Sequence, residues 1–409
     1  MGRRRVYDRV TTFWAFLGQI FRDGSLRDAV HEVQAMRARL GWEAVSMDTS
    51  AYSQARQRLP EKTLEEVHQR ILDAIPQTPG WNDRRVLAVD GTGVRLADTA
   101  ANQAAFPQPS NQAEGCGFPV MQLVGLYDLS SGAMLRVVES PLNVHEAPLL
   151  ETSLIHEIGA GDVLVGDRAY CSYGIFALLK ARGADAVMRL HQARKKPKGE
   201  GSEWTVQWKR PSFAQAPEHL SREEWEALPE TLTVRYIRKK IVEPGYRPKE
   251  IIVATTLLES PAEELLDLHL RRWEMELSLR DLKTSMGMEI LRGLTPAMAY
   301  KEMRMYLIAH NLLRWLIFAS GALTGRARRR ISFKGTLDAL HSHGPELLAA
   351  SPAKRRSLRL RLLLLMAADP VPHRPGREEP RAVKSRPKPY QRLTRPRHQM
   401  RVSPSRRQK

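Results

Sequence analysis

Three carboxylates carry the chemistry open to this sequence. Asp90 ends the apolar run VLAV and Asp167 ends DVLVG, so each stands at the carboxyl end of a short buried strand, where open α/β sheets gather functional groups. Glu276 sits in EELLDLHLRRWEMELSLRDLKTSMG, residues 263–287, whose pattern is helical. A lone Asp after a strand is usually a turn former. Two of them with a helical Glu supply enough hard oxygen donors for two divalent cations, Mg²⁺ first and Mn²⁺ as the alternative, with octahedral positions left for water and phosphate. Such a pair activates a water or a 3′-hydroxyl and stabilises the leaving oxygen of an in-line phosphodiester displacement.

Wound at about 100° per residue, residues 263–287 lay out four faces. Leu266, Leu270, Trp273 and Leu277 make one apolar stripe, and Leu268, Met275, Leu279, Leu282 and Met286 make a second nearly opposite. Asp267, Arg271, Glu274, Ser278 and Asp281 read as the solvated face between them. The remaining gap holds His269, Arg272, Glu276, Arg280 and Lys283. Surface Arg–Glu pairs four apart are common and worth little, so a second wet face is one reading. A charged row bounded by apolar residues on both sides equally fits the floor of a cleft.

The rest of the chain must position these groups. Residues 1–80 read as helical, with Val10, Phe13, Trp14, Leu17 and Phe21 on one side of the first helix and Ser25 capping the second. Arg56 and Arg58 would face phosphate if this region reads DNA, although a plain bundle fits as well. Residues 81–190 carry the strands Val86–Val89, Gly93–Ala97, Val120–Tyr127 and Met134–Glu139. A helix His145–Ile158, a strand Asp162–Gly166, a helix Tyr173–Ala181 and a strand Ala186–Leu190 follow. Three antiparallel strands and then alternating helix and strand predict a ribonuclease H-like α/β core. Residues 191–257 interrupt it with a basic loop and the strands Trp204–Lys209, Leu232–Val242 and Ile251–Leu257, a β-rich insertion. The core resumes over 258–290, and 291–369 is helical, beginning with a long helix Pro296–Ser320.

Of a formal charge of +19 over 409 residues, +11 falls in residues 370–409, a Pro, Arg and Lys tail expected to be disordered alone. The basic balance points to a polyanionic partner, nucleic acid before an anionic membrane surface. No run of eighteen or so apolar residues occurs, so no bilayer span is expected, and a cytoplasmic location is the default. Cys116 and Cys171 are too few for a disulfide framework or a thiolate zinc site. AVDGTG lacks a phosphatase nucleophile because Ala88 stands where one is needed. His145, Glu146 and His310 have no second His at ligand spacing and read as helix residues.

His269, Arg272, Glu276 and Lys283 fall at the spacing Tyr, two residues, Arg, three residues, Glu, six residues, Lys. In this the sequence resembles the DDE transposases of bacterial insertion sequences, in the branch marked by that Tyr-Arg-Glu-Lys signature, with His replacing Tyr. VLAVDGTGVRLADTAANQAAFP and DVLVGDRAYCSYG are similar to the family's two Asp motifs, and the basic tail is similar to its C-terminal segment. The resemblance implies that Asp90, Asp167 and Glu276 are the catalytic, metal-binding triad. Arg272 and Lys283 would contact phosphates near the scissile bond. His269, in the place of a DNA-holding Tyr, would donate to phosphate and add a pH dependence near neutrality. Relatives hold a flipped base with aromatic residues of the insertion, which nominates Trp204 and Trp208 with Trp225 behind them. A core strand face explains that alternation as well. Arg168 is nominated for a phosphate contact, with a structural ion pair as its rival. The implied partners are double-stranded DNA, at the element's ends and at the target, and a second copy of the chain on paired ends. A nuclease that stops at hydrolysis and an inactive DNA-binding derivative are the competing readings.

Overall fold

The structure, a computed structural model, describes residues 6–76, 78, 80–194, 201–240, 250–372 and 393–400. Residues 195–200 of the basic loop, the expected strand end at Val242 and most of the tail lie outside them.

Apolar runs of alternating parity build a nine-stranded sheet. Strands β1 (Val86–Leu96), β2 (Val120–Asp128) and β3 (Met134–Pro141) form an antiparallel meander. β4 (Val163–Gly166) lies parallel to β1, and β5 (Asp185–Arg189) lies parallel to β4. The resulting order 3-2-1-4-5, with helices on both faces, is the expected ribonuclease H-like arrangement. Residues of the insertion do not stand apart from it. β6 (Glu203–Lys209), β7 (Thr231–Lys240) and β8 (Glu250–Thr255) pair antiparallel in turn, and β8 joins β5, so the insertion extends the main sheet. A short β9 (Ile290–Leu291) pairs with the far end of β1.

β1 corrects one expectation. The sequence predicts two paired strands, Val86–Val89 and Gly93–Ala97, with Asp90, Gly91 and Thr92 between them, yet Val86–Leu96 is a single strand of 11 residues. Asp90, Gly91, Thr92 and Gly93 keep partners Gly125, Val124, Leu123 and Gln122 on β2, so an unbroken ladder overrides the turn preference of Asp and Gly. Along β1, Val86 and Ala88 enter the core on one face, and Leu87 and Val89 the core on the other.

Four helices open the chain: α1 (Arg9–Phe21), α2 (Leu26–Arg39), α3 (Ser50–Arg58) and α4 (Glu61–Ala74). Ser25 and Asp28 close a capping box on α2. On α1 the buried face is centred on Phe16, Leu17 and Ile20, while Val10 and Trp14, expected inside, are exposed. Arg56 is not free for phosphate: its guanidinium stacks over Phe16 and Tyr52. Next come α5 (Ala100–Ala105), α6 (Glu146–Leu149), α7 (Tyr173–Ala181) and α8 (Arg222–Ala227). The helix expected over 145–158 is divided into α6, a π turn and a 3₁₀ turn.

Residues 263–287 are likewise not one helix. α9 (Ala262–Leu270) and α10 (Trp273–Arg280) are separated at Arg271 and Arg272, and a π turn Asp281–Ser285 follows. Beyond them lie α11 (Pro296–Thr324), α12 (Phe333–Ala349) and α13 (Pro352–Ala368). By length and mean hydropathy α11 reaches what a membrane crossing needs, although Lys301, Glu302, Arg304 and Arg314 interrupt its apolar run. Here it is a core helix packed on α4 and α13, carrying Lys301, Glu302 and Asn311 among its buried residues.

Candidate active site

Register brings the two aspartates together. Val89 and Gly166 are the last pair of the parallel β1–β4 ladder, so Asp90 and Asp167 leave it side by side, at a strand separation of roughly 5 Å. Asp90 has the parity of Val86 and Ala88 and therefore faces the side on which α9 and α10 bury Leu265, Leu268 and Met275. That packing carries Glu276 to the strand end. One guanidinium then links the two elements: Arg272 Nη1 donates to Glu276 Oε1 at 2.6 Å and to Asp90 Oδ2 at 3.4 Å. Lys283 Nζ donates to Thr92 Oγ1 at 3.2 Å and to the Gly93 carbonyl at 2.9 Å, tying the far end of the same row to β1. A cleft of about 520 Å³ opens over these groups, lined by Asp90, Thr92, Glu276, Arg280 and Lys283.

The electrostatics follow from that crowding. Burial pushes the Asp90 carboxyl up to about 6; Arg272 and the Gly91 N–H oppose the rise, while Glu276 and Glu146 add to it. His269 is buried, with Nδ1 lacking a hydrogen-bond partner, and burial followed by the nearby Arg272 charge lowers it to about 4. It is therefore neutral at physiological pH. The expected titration near neutrality is corrected, because desolvation outweighs the pull of Asp167. Among the described residues no three His, Cys, Asp or Glu side chains stand as a ready group for a metal ion. Asp90 and Glu276 instead flank Arg272.

The faces of residues 263–287 are partly exchanged relative to expectation. Leu268, Met275, Leu279, Leu282 and Met286 are buried as expected. In the other stripe Leu266 is buried but Trp273 is 54% exposed, with Leu270 and Leu277 exposed too, whereas on the supposed solvated face Asp267 is exposed and Arg271, Glu274, Ser278 and Asp281 are packed in part or whole. Ser278 Oγ donates to Tyr127 Oη at 3.0 Å and accepts from Arg314 Nη2 at 2.8 Å. Arg314 also pairs with Asp281, and Arg271 donates to the Gly80 and Leu129 carbonyls. Polar partners on β2 and α11 make this face interior, a fact no periodicity records.

Other nominated residues stand farther out. Arg168 is exposed and donates to Gln192 Oε1 at 3.2 Å. Trp208 is 4% exposed, with Nε1 on Tyr236 Oη, its ring against Phe176 and Arg194 stacked over it; a ring so enclosed is a core residue of that strand. Trp225 is equally buried, with Nε1 on the Pro211 carbonyl. Trp204 is half-buried beneath the Arg238 guanidinium.

Glu146 was passed over in the sequence and belongs to the site's surroundings. Gln122 Nε2 donates to its Oε1 at 3.1 Å and Tyr170 Oη to its Oε2 at 2.7 Å, while a Cβ on Gly91 would collide with its carboxylate. The one signal for it was that glycine directly after Asp90.

Fold and site together define a ribonuclease H-like enzyme with one acidic residue inside its first strand, where the ladder to the fourth stops, and another directly after the fourth. A family model described as the transposase DDE domain matches residues 81–312, more than half of the chain. The chain belongs to the DDE transposase family, metal-dependent enzymes that cleave and transfer DNA strands. It is 27% identical over 356 residues to the transposase InsG for insertion sequence element IS4 of Escherichia coli (strain K12), covering 83% of this chain and 77% of that protein. A probable transposase for insertion sequence element IS5377 of Geobacillus stearothermophilus is 32% identical over 85 residues, 21% of this chain and 22% of its own. Among solved structures, the piggyBac transposase synaptic complex with hairpin DNA aligns with TM-score 0.48 and 11% identity, over 91% of this chain and 78% of that one.

Proposed function

We propose that the chain binds the terminal inverted repeats of its own insertion sequence, cleaves a phosphodiester at each end and joins the freed 3′-hydroxyl to target DNA. The observation that supports this reading is that Asp90 and Asp167 follow the last pair of the parallel β1–β4 ladder, with Glu276 of α10 tied to Asp90 through Arg272. Their donor set suits Mg²⁺ or Mn²⁺: oxygen only, anionic, with Asp90 desolvated to the point that its carboxyl is pushed up to about 6 although Arg272 pairs with it. Asp90, Asp167 and Glu276 would hold the divalent ion, which would supply charge stabilisation at the reacting phosphate and activation of the attacking hydroxyl.

The chain's own groups do the rest. Arg272, Arg280 and Lys283 line or border the cleft and give it the cationic wall that a phosphate backbone needs. Lys283 Nζ is held against the Gly93 carbonyl until a phosphate competes for it. His269, neutral and buried, keeps the row packed under Asp167 and positions Arg272, rather than meeting phosphate as a cation. Trp204 remains the aromatic residue of the insertion proposed to meet a displaced base, once Arg238 moves from its ring. Residues 1–80 are proposed as the end-binding region and residues 370–409 as a basic tail for non-specific DNA contact. Two copies are proposed to act on paired ends.

A strand-transfer assay with pre-cut element ends and plasmid target tests the reading. Joined product in Mg²⁺, lost in Glu276→Ala, is the expected result. Hydrolysis at the ends without any joining would instead make the chain a nuclease of the same fold.

A further inference from the structure

Arg272 holds a place that the metal reading of the site does not explain. Its Nη1 lies on both Glu276 Oε1 and Asp90 Oδ2, at 2.6 Å and 3.4 Å, and its side chain is only 13% exposed. Its Nε is buried and makes no hydrogen bond. A guanidinium is planar and permanently charged, so burying it with one donor unmet is costly unless the two carboxylates return that cost. They are the same two carboxylates that a divalent cation needs. Arg272 lies at the junction of α9 and α10, where the backbone stays right-handed helical but tightens to i→i+3 bonds, the Arg272 N–H donating to the His269 carbonyl.

We infer that Arg272 is a built-in counter-cation that holds Asp90 and Glu276 together before metal and DNA arrive, and that a divalent ion and this guanidinium compete for the same two carboxylates. Arg272 is thus a positioning residue acting through Asp90 and Glu276. A DNA phosphate, offering the fork a bidentate anionic partner, draws it off the carboxylates and so favours metal loading. Coupling of this kind ties the cutting centre to the presence of DNA. It also accounts for Arg280, exposed on the neighbouring turn, making no such contact although it lines the same cleft.

The inference rests on the metal reading above, and the test separates the two. Mn²⁺ alone is titrated into the full-length, DNA-free chain and free ion is measured at equilibrium, for wild type, Arg272→Gln, Arg272→Lys, Arg280→Gln and Asp90→Asn. Removing any nearby cation tightens metal binding a little by simple charge, so Arg280→Gln sets that baseline. The inference predicts that Arg272→Gln binds Mn²⁺ at least about tenfold tighter than wild type, well beyond Arg280→Gln. Arg272→Lys, which cannot fork between two carboxylates, falls between and serves alone should the Gln variant fail to fold. A merely structural Arg272 would leave Mn²⁺ affinity at the Arg280→Gln level or lower it, and that result overturns the inference while Asp90→Asn still abolishes binding. Absence of Mn²⁺ binding in wild type and in both Arg272 variants would overturn the metal reading and this inference with it.

Discussion

Asp90 and Asp167 are held in one way and Glu276 in another. The aspartates follow ladders of backbone hydrogen bonds: β1 pairs on both sides, with β2 and β4, and β4 in turn pairs with β5. Glu276 lies on a segment whose ladder is interrupted at Arg271–Arg272 and passes into a π turn at Asp281. It is kept in place by side chains instead: Met275 in the core, Ser278 on Tyr127, Asp281 on Arg314, and Arg272 on the glutamate itself. Two acids are fixed by main chain and one by exchangeable side-chain contacts. The difference teaches where such a site is able to adjust: at the helix, with the strand ends as the fixed reference.

The comparison breaks first at the strand ends. Asp167→Ala, like Asp90→Ala, is expected to lower end cleavage in Mg²⁺ by more than about 10³-fold, ~4 kcal/mol of barrier, while the circular dichroism spectrum stays native. Cleavage within tenfold of wild type would remove the aspartates from the chemistry. Next in size is the side-chain anchor of α10. Arg314→Ala leaves Asp281 buried without its cation and Ser278 without a donor, and is expected to cost about 3 kcal/mol in urea unfolding. Turnover should fall with it while DNA affinity holds. A loss under 1 kcal/mol would show that the helix is held by its apolar contacts alone.

A third prediction concerns pH. Asp90 has its folded value raised from 3.8 to about 6, so the stability it allows is fully present below about 4 and is lost as pH rises through about 6. In EDTA, wild type should therefore lose about 2 kcal/mol relative to Asp90→Asn between pH 4 and pH 7, discounting the shift for partial exposure and its coupling to Arg272 and Glu276. A flat difference would mean the carboxylate is already well compensated without metal. The smallest effect is expected on the exposed stripe. Trp273→Ser should change stability by less than about 0.5 kcal/mol, since the ring packs on no core.

These contrasts also mark what was legible in the sequence. The ribonuclease H-like alternation of strands and helices, the buried strand ending before Asp167 and the row through Glu276 were readable because apolar runs and helical spacing leave direct traces. Asp90, Gly91 and Thr92 favour a break by composition, but β2 supplies an unbroken partner for each of them. Ser278 and Asp281 read as wet because a polar residue on a helix usually is; Tyr127 and Arg314, from remote parts of the chain, make them interior. Leu270, Trp273 and Leu277 read as core for the mirror reason. Glu146 was set aside because no ligand spacing surrounds it, and its link to the site through Gly91, Gln122 and Tyr170 exists only in three dimensions.

The most direct measurement is a crystal structure of the protein with Mn²⁺ and an end-containing duplex, read by anomalous scattering. Anomalous density against both Asp90 and Asp167, with Glu276 released from Arg272 and turned toward it, is the predicted result. Manganese bound elsewhere, with Arg272 still bridging Asp90 and Glu276 while the duplex is seated in the cleft, would contradict the account.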